Sequence, residues 1–195
     1  MRTQESLSGR VDAVVIGASA GGVEALSVLL PALPPDAKAA FFIVLHLPRD
    51  RPSMLAEIFA RKCSLPVREA EDKESVTPGT VYFAPSNYHL LLDEGPQMAL
   101  SADDLVHHSR PSIDVLFESA AHVYKDRLLG IILTGANEDG SAGLAAVHDS
   151  GGTTVVQTPQ SARSPRMVIS ALKLRPADLV LSLEDIADLL RRLNP

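Results

Sequence analysis

A chain of 195 residues has the length of a single domain, and such a domain buries roughly 70% of the surface that its unfolded chain exposes. Apolar residues make up 46% and aromatic residues 4%, with no tryptophan, so the core must be mainly aliphatic, as in parallel-sheet α/β proteins. The net charge of −6 argues against nucleic-acid binding and against an anionic membrane surface.

The single cysteine, Cys63, excludes an internal disulfide and a cysteine metal cluster. No uninterrupted apolar stretch reaches about 18 residues, and the first residues lack the pattern of a signal peptide. We therefore expect a cytoplasmic protein without a membrane insertion.

Short β-branched runs alternate with helical patterns along the chain, which predicts an α/β fold: a doubly wound, mainly parallel sheet with helices on both faces. The predicted strands cover residues 12–16, 40–45, 128–133, 153–157 and 179–181. The predicted helices cover residues 22–30, 112–124, 141–149 and 183–193. Ser182 and Asp185 form a capping box at the start of the last helix.

The middle of the chain has a different pattern. Residues 80–83, 89–92 and 98–101 predict short strands, and the turn at 94–96 between the last two indicates a small antiparallel β appendage. The charge run at 68–74 predicts a solvated loop. We expect one domain over residues 12–195, preceded by an N-terminal extension of residues 1–11.

A possible nucleophile follows the first predicted strand, in VDAVVIGASAGGVEAL. A dinucleotide fingerprint would need glycine at Ser19, and a Walker loop would need a lysine that this segment lacks. The pattern G-x-S-x-G fits, and it predicts Ser19 as a nucleophile on a sharp turn, with the Ala20 N–H directed at an oxyanion. The alternative is a glycine-rich turn that binds any anion or none.

Position separates the six histidines as candidate bases. His46 follows strand 40–45 at its C-terminal end, the edge at which open α/β sheets place their sites and at which Ser19 also lies. His46 is therefore the predicted base. His89 is ambiguous. His107 and His108 form a loop pair without metal-ligand spacing. Packing or helix-end roles explain the last two, His122 and His148.

A carboxylate should orient the imidazole and stabilise its cation. Glu138 and Asp139 both follow strand 128–133 and both qualify. Asp139 is favoured because it directly precedes the start of the next helix, although capping that helix is its competing role. The chain order of Ser19, His46 and Asp139 differs from the Ser, Asp, His order of the α/β-hydrolase superfamily.

From about Asp12 to its C-terminus, the chain resembles the catalytic domain of the CheB family of chemotaxis protein-glutamate methylesterases. The matching segments are VVIGASAGG, the strand ending in LHLP, VYFAPSNYHLLL, RPSIDVLFESAA, LTGANEDGSAGL and GGTTVVQ. The resemblance implies that Ser19 is the nucleophile, His46 the base and Asp139 the residue that orients it. It also implies a second oxyanion donor, the backbone amide of Ala136.

The resemblance implies a function as well: hydrolysis of γ-glutamyl methyl esters on methylated chemoreceptor helices with release of methanol, and deamidation of receptor glutamine. It implies no cofactor and no metal. Members of the family often carry a phosphorylated receiver domain. Because only residues 1–11 precede the predicted domain, we expect a stand-alone domain that is insensitive to phosphodonors, with any regulator acting in trans.

Two functions from other classes remain alternatives, a non-catalytic signalling adaptor that keeps the fold and a small-molecule acyl hydrolase. They are motivated by departures from the family pattern. The chain has Gly135-Ala136-Asn137 where Gly-Met-Gly is common, Thr158 after Gln157, and Val168 after Met167. These changes alter the wall of the predicted pocket and so bear on substrate preference.

Overall fold

The computed structural model describes residues 11–47, 53–95 and 97–193. Pro48 of the LHLP segment, Pro96 of the predicted turn and residues 1–10 of the predicted extension lie outside this range. The strands are β1 (Ala13–Ala18), β2 (Ala40–Leu45), β3 (Val67–Glu69), β4 (Val81–Phe83), β5 (His89–Asp93), β6 (Gln97–Ser101), β7 (Leu128–Ile132), β8 (Thr153–Gln157) and β9 (Leu179–Leu181). The helices are α1 (Gly22–Leu29), α2 (Leu55–Ala60), α3 (Ile113–Tyr124), α4 (Ser141–Asp149), α5 (Arg166–Leu174) and α6 (Leu183–Arg191).

Seven strands form the main sheet, in the order β3-β4-β2-β1-β7-β8-β9, and every pairing is parallel. This confirms the predicted doubly wound α/β fold. β1 is the central strand, and all six of its residues are buried, because helices cover both faces of the sheet.

Alternate residues of β1 contribute to two separate hydrophobic cores. Val14 and Ile16 pack with α1, α2 and α6 on one face. Ala13 and Val15 pack with α3, α4, α5 and the β5–β6 hairpin on the other face. The near-continuous apolar run of β1 in the sequence therefore reflects burial on both sides. Val11, at the end of the predicted extension, is also buried in the first core.

The predicted antiparallel appendage is the hairpin formed by β5 and β6. Leu90, Leu92 and Met98 of this hairpin are buried against the second core. The third short strand of this region, β4, lies instead in the main sheet, paired in parallel with β2 and β3.

Three elements depart from the sequence prediction. The charge run at 68–74 is a loop only in part, because its first residues form the edge strand β3. Arg68 of β3 lies over the Tyr82 ring, 5.1 Å from its centroid, and forms an ion pair with Glu74 at 3.0 Å. Its charge is therefore paired at the edge of the sheet. Helices α2 and α5 were not predicted at all.

The remaining boundaries shift by a few residues. The last helix ends at Arg191 rather than at residue 193. Ser182 caps its start, since its hydroxyl accepts from the Asp185 N–H at 3.1 Å. The Asp185 carboxylate accepts from the Ser182 hydroxyl at 2.8 Å, so the structure shows the N-cap half of the predicted capping box. No helix in the described part of the chain is long and apolar enough to cross a membrane.

Candidate active site

Ser19 lies directly after β1, at the start of a tight turn into α1. Its N–H donates to the Thr134 carbonyl at 3.0 Å, and its carbonyl accepts from the Gly22 N–H at 2.8 Å. Gly21 has φ +83°, a conformation that suits glycine, whereas Ser19 itself has no positive φ. The sharp turn therefore begins at Ser19, as predicted, and its positive-φ residue is Gly21.

His46 lies at the end of the neighbouring strand, as predicted. Ala18 of β1 pairs with Leu45 of β2, so Ser19 and His46 follow paired residues at the same edge of the sheet. The His46 N–H continues the pairing by donating to the Ala18 carbonyl at 3.1 Å. Among the described residues, however, the Ser19 hydroxyl has no hydrogen-bond partner, so the structure brings the two residues close without a hydrogen bond between them.

Asp139 contacts His46 directly. Its Oδ2 is 2.8 Å from His46 Nε2, and the carboxylate is fully buried. Glu138, the other sequence candidate, is half-exposed and pairs with Arg166 at 3.3 Å instead. The geometry therefore favours Asp139 over Glu138 as the carboxylate partner of the histidine.

Asp139 does not cap helix α4, which was its competing role in the sequence analysis. The residue that precedes α4 is Gly140, and no side chain caps that helix. Asp139 faces the first turn of α3 instead, where its carboxylate accepts from the Ile113 N–H at 2.8 Å and the Asp114 N–H at 3.0 Å. A carboxylate at a helix N-terminus is favoured by the exposed amides and by the helix dipole.

These hydrogen bonds decide the protonation state of Asp139. Burial alone would raise its pKa, but the hydrogen bonds from His46 and from the two α3 amides outweigh burial and hold the pKa below its ordinary value. An ionised carboxylate only accepts hydrogen bonds. His46 must therefore carry its proton on Nε2, which leaves the lone pair on Nδ1 for a reacting group.

The two predicted oxyanion donors lie on the loops that follow β1 and β7. The N–H groups of Ala20 and Ala136 make no hydrogen bond to any described residue, and both residues are exposed. Thr134 ties their two loops together, since its hydroxyl donates to the Ala20 carbonyl at 2.8 Å and accepts from the Ser164 N–H at 2.9 Å. The predicted oxyanion donors thus lie on connected loops.

Ser112 and His89 support the site, and sequence reasoning missed this role for both. The Ser112 hydroxyl donates to Asp139 Oδ1 at 2.8 Å. Its N–H donates to Nδ1 of the buried His89 at 3.1 Å, while His89 Nε2 donates to the Asp104 carbonyl at 3.0 Å. Neither spacing nor periodicity marks these residues, because the contact joins the β5 hairpin to the loop before α3.

The predicted loop pair, His107 and His108, borders the site. Both residues have positive φ, 47° and 62°, and His108 lines a small cavity of about 60 Å³ together with His46. His107 lies 3.3 Å from the buried carboxylate of Asp114. Desolvation raises the pKa of Asp114 to about 6, opposed by the Gly143 N–H and reinforced by the charge of Asp139.

No group of three or more His, Cys, Asp or Glu side chains in the described ranges is arranged to hold a metal ion. A cavity of about 560 Å³ lies elsewhere, lined in part by Asp12 and Ala40. These residues stand at the N-terminal ends of β1 and β2, so this cavity is at the sheet edge opposite Ser19.

The doubly wound parallel sheet carries a serine, a histidine and a buried aspartate at its C-terminal edge. This arrangement is typical of the active sites of serine hydrolases. The sequence profile of CheB methylesterase matches residues 14–190, and the chain belongs to this family.

Relatives and a solved structure agree with this assignment. A Leptospira interrogans protein, which carries a provisional form of the name protein-glutamate methylesterase/protein-glutamine glutaminase, is 45% identical over 94% of this chain and 95% of its own length. A Nitrosomonas europaea protein of that name is 40% identical over 89% of this chain and 49% of its own length. The crystal structure of the Thermotoga maritima CheB methylesterase catalytic domain matches with a TM-score of 0.88 and 34% identity, over 93% of this chain and 97% of that chain.

Proposed function

We propose that this chain is a protein-glutamate methylesterase that hydrolyses γ-glutamyl methyl esters on chemoreceptor helices and also deamidates receptor glutamine. The observation that carries the proposal is the 2.8 Å hydrogen bond between His46 Nε2 and Asp139. It leaves Nδ1 as the basic nitrogen of His46, at the strand end beside Ser19. Family membership and the names of the relatives support the choice of substrate.

Acylation begins with attack of Ser19 Oγ on the ester carbonyl, while His46 Nδ1 takes the hydroxyl proton. The ionised Asp139 stabilises the resulting imidazolium through Nε2–H. The N–H groups of Ala20 and Ala136 donate to the tetrahedral oxyanion. When the carbon–methoxy bond breaks, Nδ1 returns its proton and methanol leaves, with the glutamyl group bound to Ser19 as an ester.

Deacylation repeats these steps with water. His46 Nδ1 takes a proton from the water as it attacks the acyl carbon, the bond to Ser19 Oγ breaks, and the proton passes to Oγ. The product is the receptor glutamate. A glutamine side chain follows the same route, with ammonia as the leaving group in place of methanol.

Release of radiolabelled methanol from a methylated receptor fragment tests the proposal. Because the catalytic residues act as a unit, Ser19→Ala and His46→Ala should each lower kcat by at least about 10³-fold. Circular dichroism should show the fold retained. Ser27→Ala removes an α1 hydroxyl that donates to the Val23 carbonyl at 2.8 Å and accepts from Lys62 Nζ at 3.4 Å; neither partner belongs to the site, so the rate should be unchanged. Near-normal release by Ser19→Ala would contradict the mechanism.

The same assay separates the two alternatives. Hydrolysis of small acyl esters by the unmodified protein, without methanol release from the receptor fragment, would indicate a small-molecule acyl hydrolase. Binding of the receptor fragment without either hydrolysis would indicate an adaptor. We further propose that any regulator acts in trans, which would appear as a change in methanol release when a candidate partner is added.

A further inference from the structure

The carboxamide of Asn137 faces the basic nitrogen of His46. Asn137 follows Ala136 in the loop after β7, and its Nδ2 is 3.4 Å from His46 Nδ1. This is a long hydrogen bond. It uses the one lone pair that the neutral imidazole has, because the other ring nitrogen donates to Asp139.

The same lone pair has to accept the proton of Ser19. In this structure the Ser19 hydroxyl bonds to none of the described residues, so Asn137 rather than Ser19 is the hydrogen-bond partner of Nδ1. Two donors cannot approach one in-plane lone pair at full strength. The amide must therefore move away from Nδ1, or weaken its hold there, before the serine can be activated.

The other end of the carboxamide is not anchored. Asn137 Oδ1 is buried and has no hydrogen-bond partner among the described residues, which is an unfavourable state for an amide oxygen. Rotation of the side chain out of the site would expose Oδ1 to water and remove this penalty. Among the described residues, His46 is the one hydrogen-bond partner of the Asn137 side chain. At 3.4 Å this hydrogen bond is weak.

We propose that Asn137 is a positioning residue that restrains the base, holding Nδ1 of the neutral His46 until substrate displaces the amide. The inference rests on the proposed roles of Ser19 and His46. It assigns no proton transfer to Asn137, which acts only through the histidine. Entry of an ester or amide side chain beside Nδ1 displaces the carboxamide and frees the lone pair for Ser19.

A fluorophosphonate probe tests the restraint without any receptor. Ser19 Oγ forms a bond to phosphorus, the phosphorus–fluorine bond breaks, fluoride leaves and His46 takes the hydroxyl proton. Removing one competing hydrogen bond in Asn137→Ala should raise the second-order labelling rate about 3- to 10-fold. Glu138→Gln, on the exposed neighbour in the same loop, is the matched control and should label like the unmodified protein. An unchanged or slower rate for Asn137→Ala would overturn the proposal.

A second measurement reports the contact itself. In Asn137→Asp, a carboxylate of the same shape would face Nδ1 and draw a proton to it, so that ¹⁵N spectra show the His46 imidazolium persisting to higher pH and labelling slows at neutral pH. The other groups facing this ring, Asp139 on Nε2 and His108 and Arg110 in the shared cavity, are the same in both proteins. Identical ¹⁵N titrations would overturn the proposal.

These readouts also keep the two proposals apart. If Ser19 of the unmodified protein fails to react with the probe, the proposed nucleophile is wrong, and the ¹⁵N comparison still decides whether Asn137 holds Nδ1. If labelling behaves as expected but no methanol is released from the receptor fragment, the restraint stands and the substrate assignment fails.

Discussion

Asp139 accepts four hydrogen bonds from the described residues, two on each oxygen. Oδ2 receives the His46 Nε2–H and the Ile113 N–H, and Oδ1 receives the Ser112 hydroxyl and the Asp114 N–H. Each oxygen therefore faces one backbone N–H that cannot turn away. An asparagine in either orientation would direct its NH₂ group at one of these N–H groups.

Asp139→Asn should therefore damage both activity and stability. We expect kcat to fall by about 10³- to 10⁴-fold, because the wrong imidazole tautomer is favoured, and the free energy of unfolding to fall by about 1–3 kcal/mol, because a buried amide N–H loses its acceptor. Methanol release and urea unfolding measure the two effects. Glu138→Gln should be mild in both assays, and the reverse result would move the carboxylate role to Glu138.

The buried carboxyl of Asp114 has the opposite titration behaviour. Its pKa is raised from 3.8 to about 6, so the folded state binds this proton more tightly than the unfolded state does. Its contribution to stability is present below about pH 4 and is lost as the pH rises through about 6.

Asp114→Asn should remove this pH dependence. The amide oxygen can keep the 2.6 Å hydrogen bond from the Gly143 N–H, and no buried charge remains at neutral pH. Relative to the unmodified protein, the variant should gain roughly 1–3 kcal/mol of unfolding free energy at pH 7.5 and little at pH 4. Urea midpoints at the two pH values measure the difference. An equal loss at both pH values would show that the carboxylate is needed for structure instead.

At the scale of single residues, the sequence predicted the strand-end positions of Ser19 and His46, because parallel strands bring their C-terminal ends to one edge. It could not predict that Ser112 contacts Asp139 or that Asn137 contacts His46. Those contacts come from loops, whose side-chain directions depend on tertiary packing and leave no periodic signal in the chain.

Helix α3 lies so close to β1 that a side chain at Gly17 would not fit. A Cβ there would be 2.4 Å from Ile113 Cγ2. Ile113 also donates its N–H to Asp139. The spacing between β1 and α3 therefore bears directly on the position of the carboxylate.

Gly17→Ala should push α3 outward, lower the unfolding free energy by about 1–3 kcal/mol and reduce methanol release. Ile113→Ala alone should cost roughly 2–5 kcal/mol through the cavity that it leaves. In the double variant the new methyl group occupies part of that cavity, so the combined cost should be smaller than the sum. A strictly additive double-variant cycle in urea unfolding would contradict this close approach.

At the scale of elements, long periodic segments were predictable and short ones were not. Helix α3, with Ile113, Leu116, Phe117 and Ala120 on one face, was predicted within one residue of its observed start. Helix α2 has six residues and β3 has three, too few for a period to show. Helix α5 does show a helical spacing, since the apolar residues Met167, Val168 and Ala171 follow Pro165 and are buried in the structure. In the sequence, however, Met167-Val168 stands out only as a departure from the family pattern.

The sheet order places three strands on either side of β1. Because β1 is hydrogen-bonded on both edges and buried on both faces, its amides should exchange with deuterium only when the whole domain unfolds. The edge strand β9, with partly exposed residues, should open locally. Hydrogen exchange resolved by residue tests this difference. Equal protection of β1 and β9 would contradict the central role of β1.

The central position of β1 also bears on the order in which the site is completed during synthesis. Ser19 and His46 are translated early and belong to adjacent strands, but Asp139 follows His46 by 93 residues, after the chain has crossed back past β1 to form β7. A ribosome-bound chain therefore holds Ser19 and His46 through 93 residues of elongation before the Asp139 carboxylate that hydrogen-bonds the histidine has been made. Full hydrolytic competence should accordingly arise only once the second half of the sheet has been made and has docked.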